Sequence, residues 1–328
     1  VKEAVAFKFK RDNGLIYKRS QISVNSGGKH TLFNALVATV DVGDEVIIPA
    51  PYWVSYPDIV NFAGGTPVHY RCDNDNDWQP DLEDIRSKIT PSTKAIVVIN
   101  PNNPTGAVYS REVLEGIVQI AREHSLLLLS DEIYDRILFD DAVHIPLATL
   151  APDLLCLTFN GLSKTYRVAG YRSGWLVITG PKKHAAGFLE GIQLLASTRL
   201  CPNVPAQHAV QAALSGVQSI DALIAPTGRL HEQRDAAWNA LTSIPGVTCH
   251  KPRGALYAFP RLDPEVHDIR DDAKFVYDFL VAEHVLLVQG TGFNWPTPDH
   301  FRIVTLPEAR VLTEAVERLG NFLASYRQ

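Results

Sequence analysis

A chain of 328 residues with 31 Lys+Arg against 36 Asp+Glu, a net charge of -5, has no general basic surface on which to hold nucleic acid or an anionic membrane. A hydrophobic content of 46% over that length allows a large core and room for two domains. The 4 cysteines, Cys72, Cys156, Cys201 and Cys249, lack CxxC or paired Cys/His spacing, so neither a disulfide framework nor a metal site is expected and a reducing, cytoplasmic setting is the default. Apolar runs such as Leu126 to Leu129 are strand-length, far short of the roughly 20 residues of a membrane helix, and no secretory leader is visible.

Val1 to Arg11 reads as a helix with Val1, Val5 and Phe9 on one face, stopped at Asp12-Asn13-Gly14. No capping residue precedes it, which raises the expectation that an N-terminal segment is missing. Strand-like and helix-like patterns then alternate: "QISVN" with a helix from about His30, "EVIIP" with a helix through Trp53 to Phe62, and "KAIVVIN" with a helix over Arg111 to His124. "LLLLSDE", "LLCLTFN" and "GWLVI" follow, short apolar runs bounded by turn residues, as buried parallel strands are. The alternation predicts an α/β domain over 1–222 whose mostly parallel sheet presents ligands at the carboxyl ends of its strands. After about Asp221 a long polar helix, "GRLHEQRDAAWNALTS", leads into "ALYAF", "VLLVQG" and "HFRIVTL", predicting a smaller α+β domain over 223–328.

Chemistry-bearing residues stand at the ends of those strands. "SGGKH" joins a strand to a helix, so Gly28 and Lys29 would present backbone N–H groups as a phosphate seat; read alone, it is better taken as a plain tight turn. Asp131 in "SDEIYD" ends a very apolar strand, where a carboxylate needs a positive partner, although a helix cap or ordinary ion pair would also explain it. "NPNNPTG" taken by itself is an Asn/Pro/Gly turn. "NGLSKTYRVAGYRSGW" concentrates positive charge in an acidic chain, placing Lys164 33 residues after Asp131 and Arg172 eight residues later. A strand-end phosphate turn, a buried aspartate and such a lysine together are the parts that hold pyridoxal phosphate as a Schiff base. No HExxH occurs among the 11 histidines, so a metal enzyme is not implied.

With "NNPTG", "SDEIYD" and "SKTYRVAGYRSGW" in order, the chain resembles the class I and II aminotransferases of fold type I over essentially its whole length. The resemblance implies a large domain built on a seven-stranded-type sheet, a smaller C-terminal domain, pyridoxal 5'-phosphate as cofactor, and a homodimer with shared active sites. It gives Lys164 the Schiff-base role and Arg172 the phosphate. It sets Asp131 against the pyridine nitrogen, Tyr134 and Asn103 on the phenolic oxygen, and Trp53 on the ring face. Lys164 must lose its proton before its amine can act. Arg302 in "HFRIVTL" matches the residue that grips the substrate's α-carboxylate, which Asn103 also reaches. Gly161 departs from a serine that many relatives use for the phosphate. A tyrosine lent by the neighbouring subunit and an N-terminal glycine of the family would lie before Val1.

For the substrate, "STRLCPNVPAQ" and "VLLVQGTGFNWPTPDH" resemble the bacterial alanine aminotransferase subgroup from about residue 69 onward. The earlier "GGKHTLFNALVATVDVGDEVIIPAPYWVSYP" is closer to the prokaryotic aspartate aminotransferases. Alanine with 2-oxoglutarate is the preferred pair, aspartate the alternative, and a non-catalytic or truncated pyridoxal phosphate-binding relative a third reading. Arg199 is the candidate for the distal carboxylate of 2-oxoglutarate, and with Asn203 it is placed by resemblance near a neighbouring subunit's cofactor.

Overall fold

The computed structural model describes residues 1–328 apart from His184 and the side chain of Asp73. The strands are β1 (Ile22–Asn25), β2 (Glu45–Ala50), β3 (Thr66–Asp73), β4 (Gln79–Pro80), β5 (Thr93–Ile99), β6 (Leu127–Asp131), β7 (Cys156–Gly161), β8 (Gly174–Thr179), β9 (Val247–Thr248), β10 (Tyr257–Ala258), β11 (Arg261–Leu262), β12 (Val288–Gln289) and β13 (Phe301–Val304). The first eight form one sheet in the order β1-β8-β7-β6-β5-β2-β3-β4. The pairs β3/β2, β2/β5, β5/β6 and β6/β7 are parallel, while β8 runs antiparallel to both β7 and β1, and the two-residue β4 adds an antiparallel edge.

Both faces of this sheet are covered, which is why its strands read as continuous apolar runs. Successive residues alternate between two cores, as the pleat requires. Ile47, Ile96, Val98 and Leu128 pack with Leu114, Ile117 and Ala121 of the helix Arg111–Glu123. Val46, Ile48, Val97 and Leu129 pack on the opposite face with Leu32, Ala35 and Leu36 of the helix Gly28–Thr39. At an apolar-only value of about 25 cal/mol per Å² this two-sided burial dominates the stability of the sheet.

A second core gathers Phe275, Phe279, Phe301, Leu312, Leu319 and Leu323 around the three-stranded sheet β10-β13-β12. The long helix Arg229–Thr242 leads into it, and the boundary expected at 222/223 falls within the helix Ile220–Ile224. Ile220, Leu230 and Leu256 pack with Tyr134, Ile137 and Phe139 in a separate apolar cluster that joins the turns after β6 to the long helix and to the segment at β10. No helix among the described residues is long and apolar enough to cross a membrane, and no cluster of His, Cys, Asp and Glu among them suits a metal ion.

Local differences from the sequence reading have simple causes. The first helix spans Lys2–Asn13 and ends where Gly14 takes the left-handed conformation, φ 69°, and closes onto Phe9 O. Trp53 is not on a helix face: the helix after β2 begins at Ser55, and Pro51, Tyr52 and Trp53 form the loop before it. Tyr134 belongs to tight turns after β6, closed by Asp135 N to Glu132 O and Ile137 N to Tyr134 O.

Candidate active site

Because β2, β5, β6 and β7 are parallel and β8 reverses, the ends of β1, β2, β5, β6 and β7 and the start of β8 lie along one edge of the sheet. A cavity of about 360 Å³ opens there. Every residue singled out from the sequence as a cofactor or substrate contact lines it, except Arg199. A larger cavity of about 700 Å³, against Val1, Ile22 and Ile192, contains none of them and none of their convergent polar chemistry.

At one end the chain is built around a guanidinium. Arg172 takes a left-handed backbone, φ 49°, and its Nη1 donates to Ala169 O at 2.9 Å. This presses the guanidinium against Gly27, φ 85°, where a Cβ would stand 2.4 Å from Arg172 Nη2. A Cβ on Gly174 would stand 2.3 Å from Gly28 N. Glycines are therefore needed at 27 and 174 for the backbone to close around Arg172 at the N-terminus of the helix Gly28–Thr39. The N–H groups of a first helical turn have no intrahelical acceptor, so Gly28 and Lys29 join Arg172 as an anion seat. Gly161, the departure from serine, also has a steric reason: a Cβ there would lie 2.8 Å from Ser173 O. Ser163 does line the cavity.

In the middle lie Lys164, Asp131 and Tyr134. Lys164 Nζ stands 5.6 Å from the centre of the Tyr134 ring. Asp131 Oδ2 accepts from the Tyr56 hydroxyl at 2.8 Å and Oδ1 from Ile133 N at 3.2 Å. Burial raises the Asp131 carboxyl to about 6, against the opposing pull of Tyr56, the Ile133 N–H and Lys164. A cationic ring nitrogen set against this carboxylate would restore its charge. The Tyr134 hydroxyl meets that of Tyr257 at 2.8 Å, and burial, with Tyr257 adding to it, pushes Tyr134 well above the usual phenol range. Lys29 Nζ lies 4.8 Å from the ring of Trp53, and both residues line the cavity.

Arg302, on β13, closes the other end. Its Nη1 donates to Asn103 Oδ1 at 3.0 Å, and its guanidinium carbon is sandwiched 4.6 Å from Tyr257 and 4.7 Å from Phe293. Burial lowers its pKa, with the two tyrosines opposing, but guanidinium stays charged. Arg302 Nε is buried with no acceptor among the described residues. Arg199 is exposed, donates weakly to Cys201 O at 3.4 Å and lies near His30, whose pKa burial and the Arg199 charge lower. Asn203 caps the helix Val204–Ser215 through Ala206 N, and the exposed Arg167 donates to Ser219 Oγ.

Tyr56, Tyr257 and Gly27 are the site features that sequence reasoning missed. Tyr56 sits in "PYWVSYP" two residues before the next aspartate, and Tyr257 inside an apolar strand, where an aromatic reads as core. Gly27 was hidden by its neighbour Gly28. The arrangement fits pyridoxal phosphate on its own terms: a glycine cradle around an arginine for the phosphate, a buried carboxylate for the ring nitrogen, and a lysine between them.

Comparison with known proteins agrees. The model of the family "Aminotransferase class I and II" matches residues 1–319. The chain is 64% identical over 307 residues to an alanine aminotransferase of Mycobacterium bovis, covering 94% of this chain and 72% of that one. It is 57% identical over 307 residues to the glutamate-pyruvate aminotransferase AlaA of Escherichia coli, covering 94% and 76%. A crystal structure of an aminotransferase from Escherichia coli superposes with a TM-score of 0.98 at 54% identity, over 100% of this chain and 81% of that one. A cavity that fits the cofactor and a family match across nearly the whole sequence lead to the same place: the chain belongs to the class I and II aminotransferases and is a pyridoxal phosphate-dependent transaminase of fold type I.

Proposed function

We propose that the protein exchanges an amino group between alanine and 2-oxoglutarate, in the cytoplasm and as a homodimer with shared sites, residues 1–222 carrying the cofactor and 223–328 the carboxylate grip. The observation that carries the reading is Arg302, which lines the same cavity as Lys164 and is held there by its Nη1 bond to Asn103 Oδ1. The two relatives described above, named for alanine and for glutamate with pyruvate, support this substrate pair.

Bound in the cavity, pyridoxal phosphate supplies an electron sink for the pair left when a bond at the substrate Cα breaks. Arg172 and the Gly28 and Lys29 N–H groups would hold the phosphate, and Asp131 would keep a proton on the ring nitrogen. Trp53 would cover the ring face, and Tyr134 and Asn103 would hydrogen-bond the phenolic oxygen. Arg302 binds the α-carboxylate as a planar fork, which fixes the direction of the Cα–H bond. Lys164 Nζ takes that proton and returns it on the way to the oxo acid. A methyl side chain needs no further partner. The distal carboxylate of 2-oxoglutarate does, and Lys29 Nζ is a cation on the cavity wall; Arg199 serves only where a second copy brings it to the site.

Rapid mixing of the cofactor-loaded protein with alanine, glutamate or aspartate, followed by the cofactor's absorbance, tests the assignment. Alanine and glutamate are expected to convert it fastest. Faster conversion by aspartate than by alanine would transfer the assignment to the aspartate alternative.

A further inference from the structure

The hydroxyl pair Tyr134–Tyr257 is the hydrogen-bonded link across the cavity between the large sheet and β10. Tyr257 faces Val304 in the β10/β13 register, which puts its side chain diagonal to Arg302 on the same face of the small sheet. Its ring then forms one wall of the guanidinium sandwich, 4.6 Å from Arg302, while its hydroxyl reaches Tyr134 at 2.8 Å. That bond is the one hydrogen bond of the Tyr134 hydroxyl among the described residues. We propose that Tyr257 is a positioning residue that ties the carboxylate grip of Arg302 to the cofactor-side hydroxyl of Tyr134.

The inference rests on the functional reading above. A phenol has one proton to give and two lone pairs to receive with. If Tyr134 gives its proton to the cofactor's phenolic oxygen, it must accept from Tyr257, which fixes Tyr257 as donor and Tyr134 as acceptor. Chains of hydrogen bonds polarise one another, so donation from Tyr257 strengthens the donation that Tyr134 makes. The same side chain also holds Arg302. Loss of the Tyr257 hydroxyl alone should disturb the cofactor and leave the carboxylate grip in place. Loss of the whole ring should disturb both.

Tyr257→Phe keeps the ring and removes the hydroxyl; Tyr257→Leu removes both. The first readout is the pH titration of the bound cofactor's absorbance, which is not an activity. In Tyr257→Phe this titration should shift by about one pH unit and kcat fall about tenfold, the usual scale for loss of an outer partner, with KM for alanine within about twofold. In Tyr257→Leu, KM for both alanine and glutamate should rise by about tenfold or more as well. In a Tyr134→Phe background, Tyr257→Phe should shift the titration no further, because the path runs through Tyr134. An unshifted titration in Tyr257→Phe, or a full additional shift on top of Tyr134→Phe, overturns the proposal. If the unaltered protein formed no cofactor absorbance responsive to alanine, the functional reading would fall instead, so the two failures are distinguishable.

Discussion

Replacing Asp131 by asparagine should stabilise the cofactor-free protein while weakening its hold on the cofactor. Burial lifts the Asp131 carboxyl from its ordinary 3.8 to about 6. At about 1.36 kcal/mol per pH unit this corresponds to about 3 kcal/mol of stability lost in carrying the charge into the fold. The figure is an upper limit, because one side of the carboxylate faces the cavity. Asparagine has no charge to bury but its amide cannot accept both the Tyr56 hydroxyl and the Ile133 N–H, a loss of about 1 kcal/mol. The net gain is about 2 kcal/mol above pH 7. The sign follows from proton binding. Between pH 3.8 and about 6 the folded carboxyl holds a proton that the unfolded one has released, so the parent loses stability as pH rises through that window. The advantage of Asp131→Asn should therefore be full at pH 8, shrink below pH 6 and be gone near pH 4. Urea unfolding of the cofactor-free proteins at several pH values measures it. A variant that is less stable at every pH, or a difference independent of pH, would mean that the Asp131 charge is not a cost to the fold.

Two further substitutions test the ends of the cavity. Gly27→Ala strains the fold at φ 85° with or without cofactor and displaces Arg172 from the anion seat, a lost charged contact of about 1.5 to 3 kcal/mol, so cofactor affinity measured by absorbance titration should fall roughly 10- to 150-fold. Arg302→Lys keeps the charge and loses the planar fork sandwiched by Tyr257 and Phe293; kcat/KM for alanine and for glutamate should fall together by about 100-fold or more, and a loss confined to one substrate would contradict a grip on the common α-carboxylate.

The sheet was legible because its strands are buried on both faces: "KAIVVIN" and "LLLLSDE" are apolar without alternation, and only a covered sheet accepts such runs. Asp131, which ends one of those strands, was legible because a carboxylate at the end of an apolar run needs a reason to be there, whereas Asn103, in the loop four residues past β5, was placed by the family resemblance alone. What the sequence hid is long-range pairing. Nothing in "VSYP" or "GALYAF" announces that Tyr56 reaches Asp131 or that Tyr257 reaches Tyr134, 123 positions apart in the chain. The need for glycine at 27 depends on the left-handed turn at Arg172, which no local pattern reveals. The smaller domain was less legible for a related reason: β10, β11 and β12 are two residues long and carry too short a period to read.

Lys164 is the proposed attachment point of the cofactor, and Lys29, which lines the same cavity, supplies an internal control. Borohydride reduction of the cofactor-loaded protein, followed by peptide mass mapping, reads the attachment directly. A single reduced adduct on Lys164, absent from Lys164→Ala together with nearly all transamination, is the predicted result; an adduct on Lys29, or normal turnover by Lys164→Ala, would contradict the account.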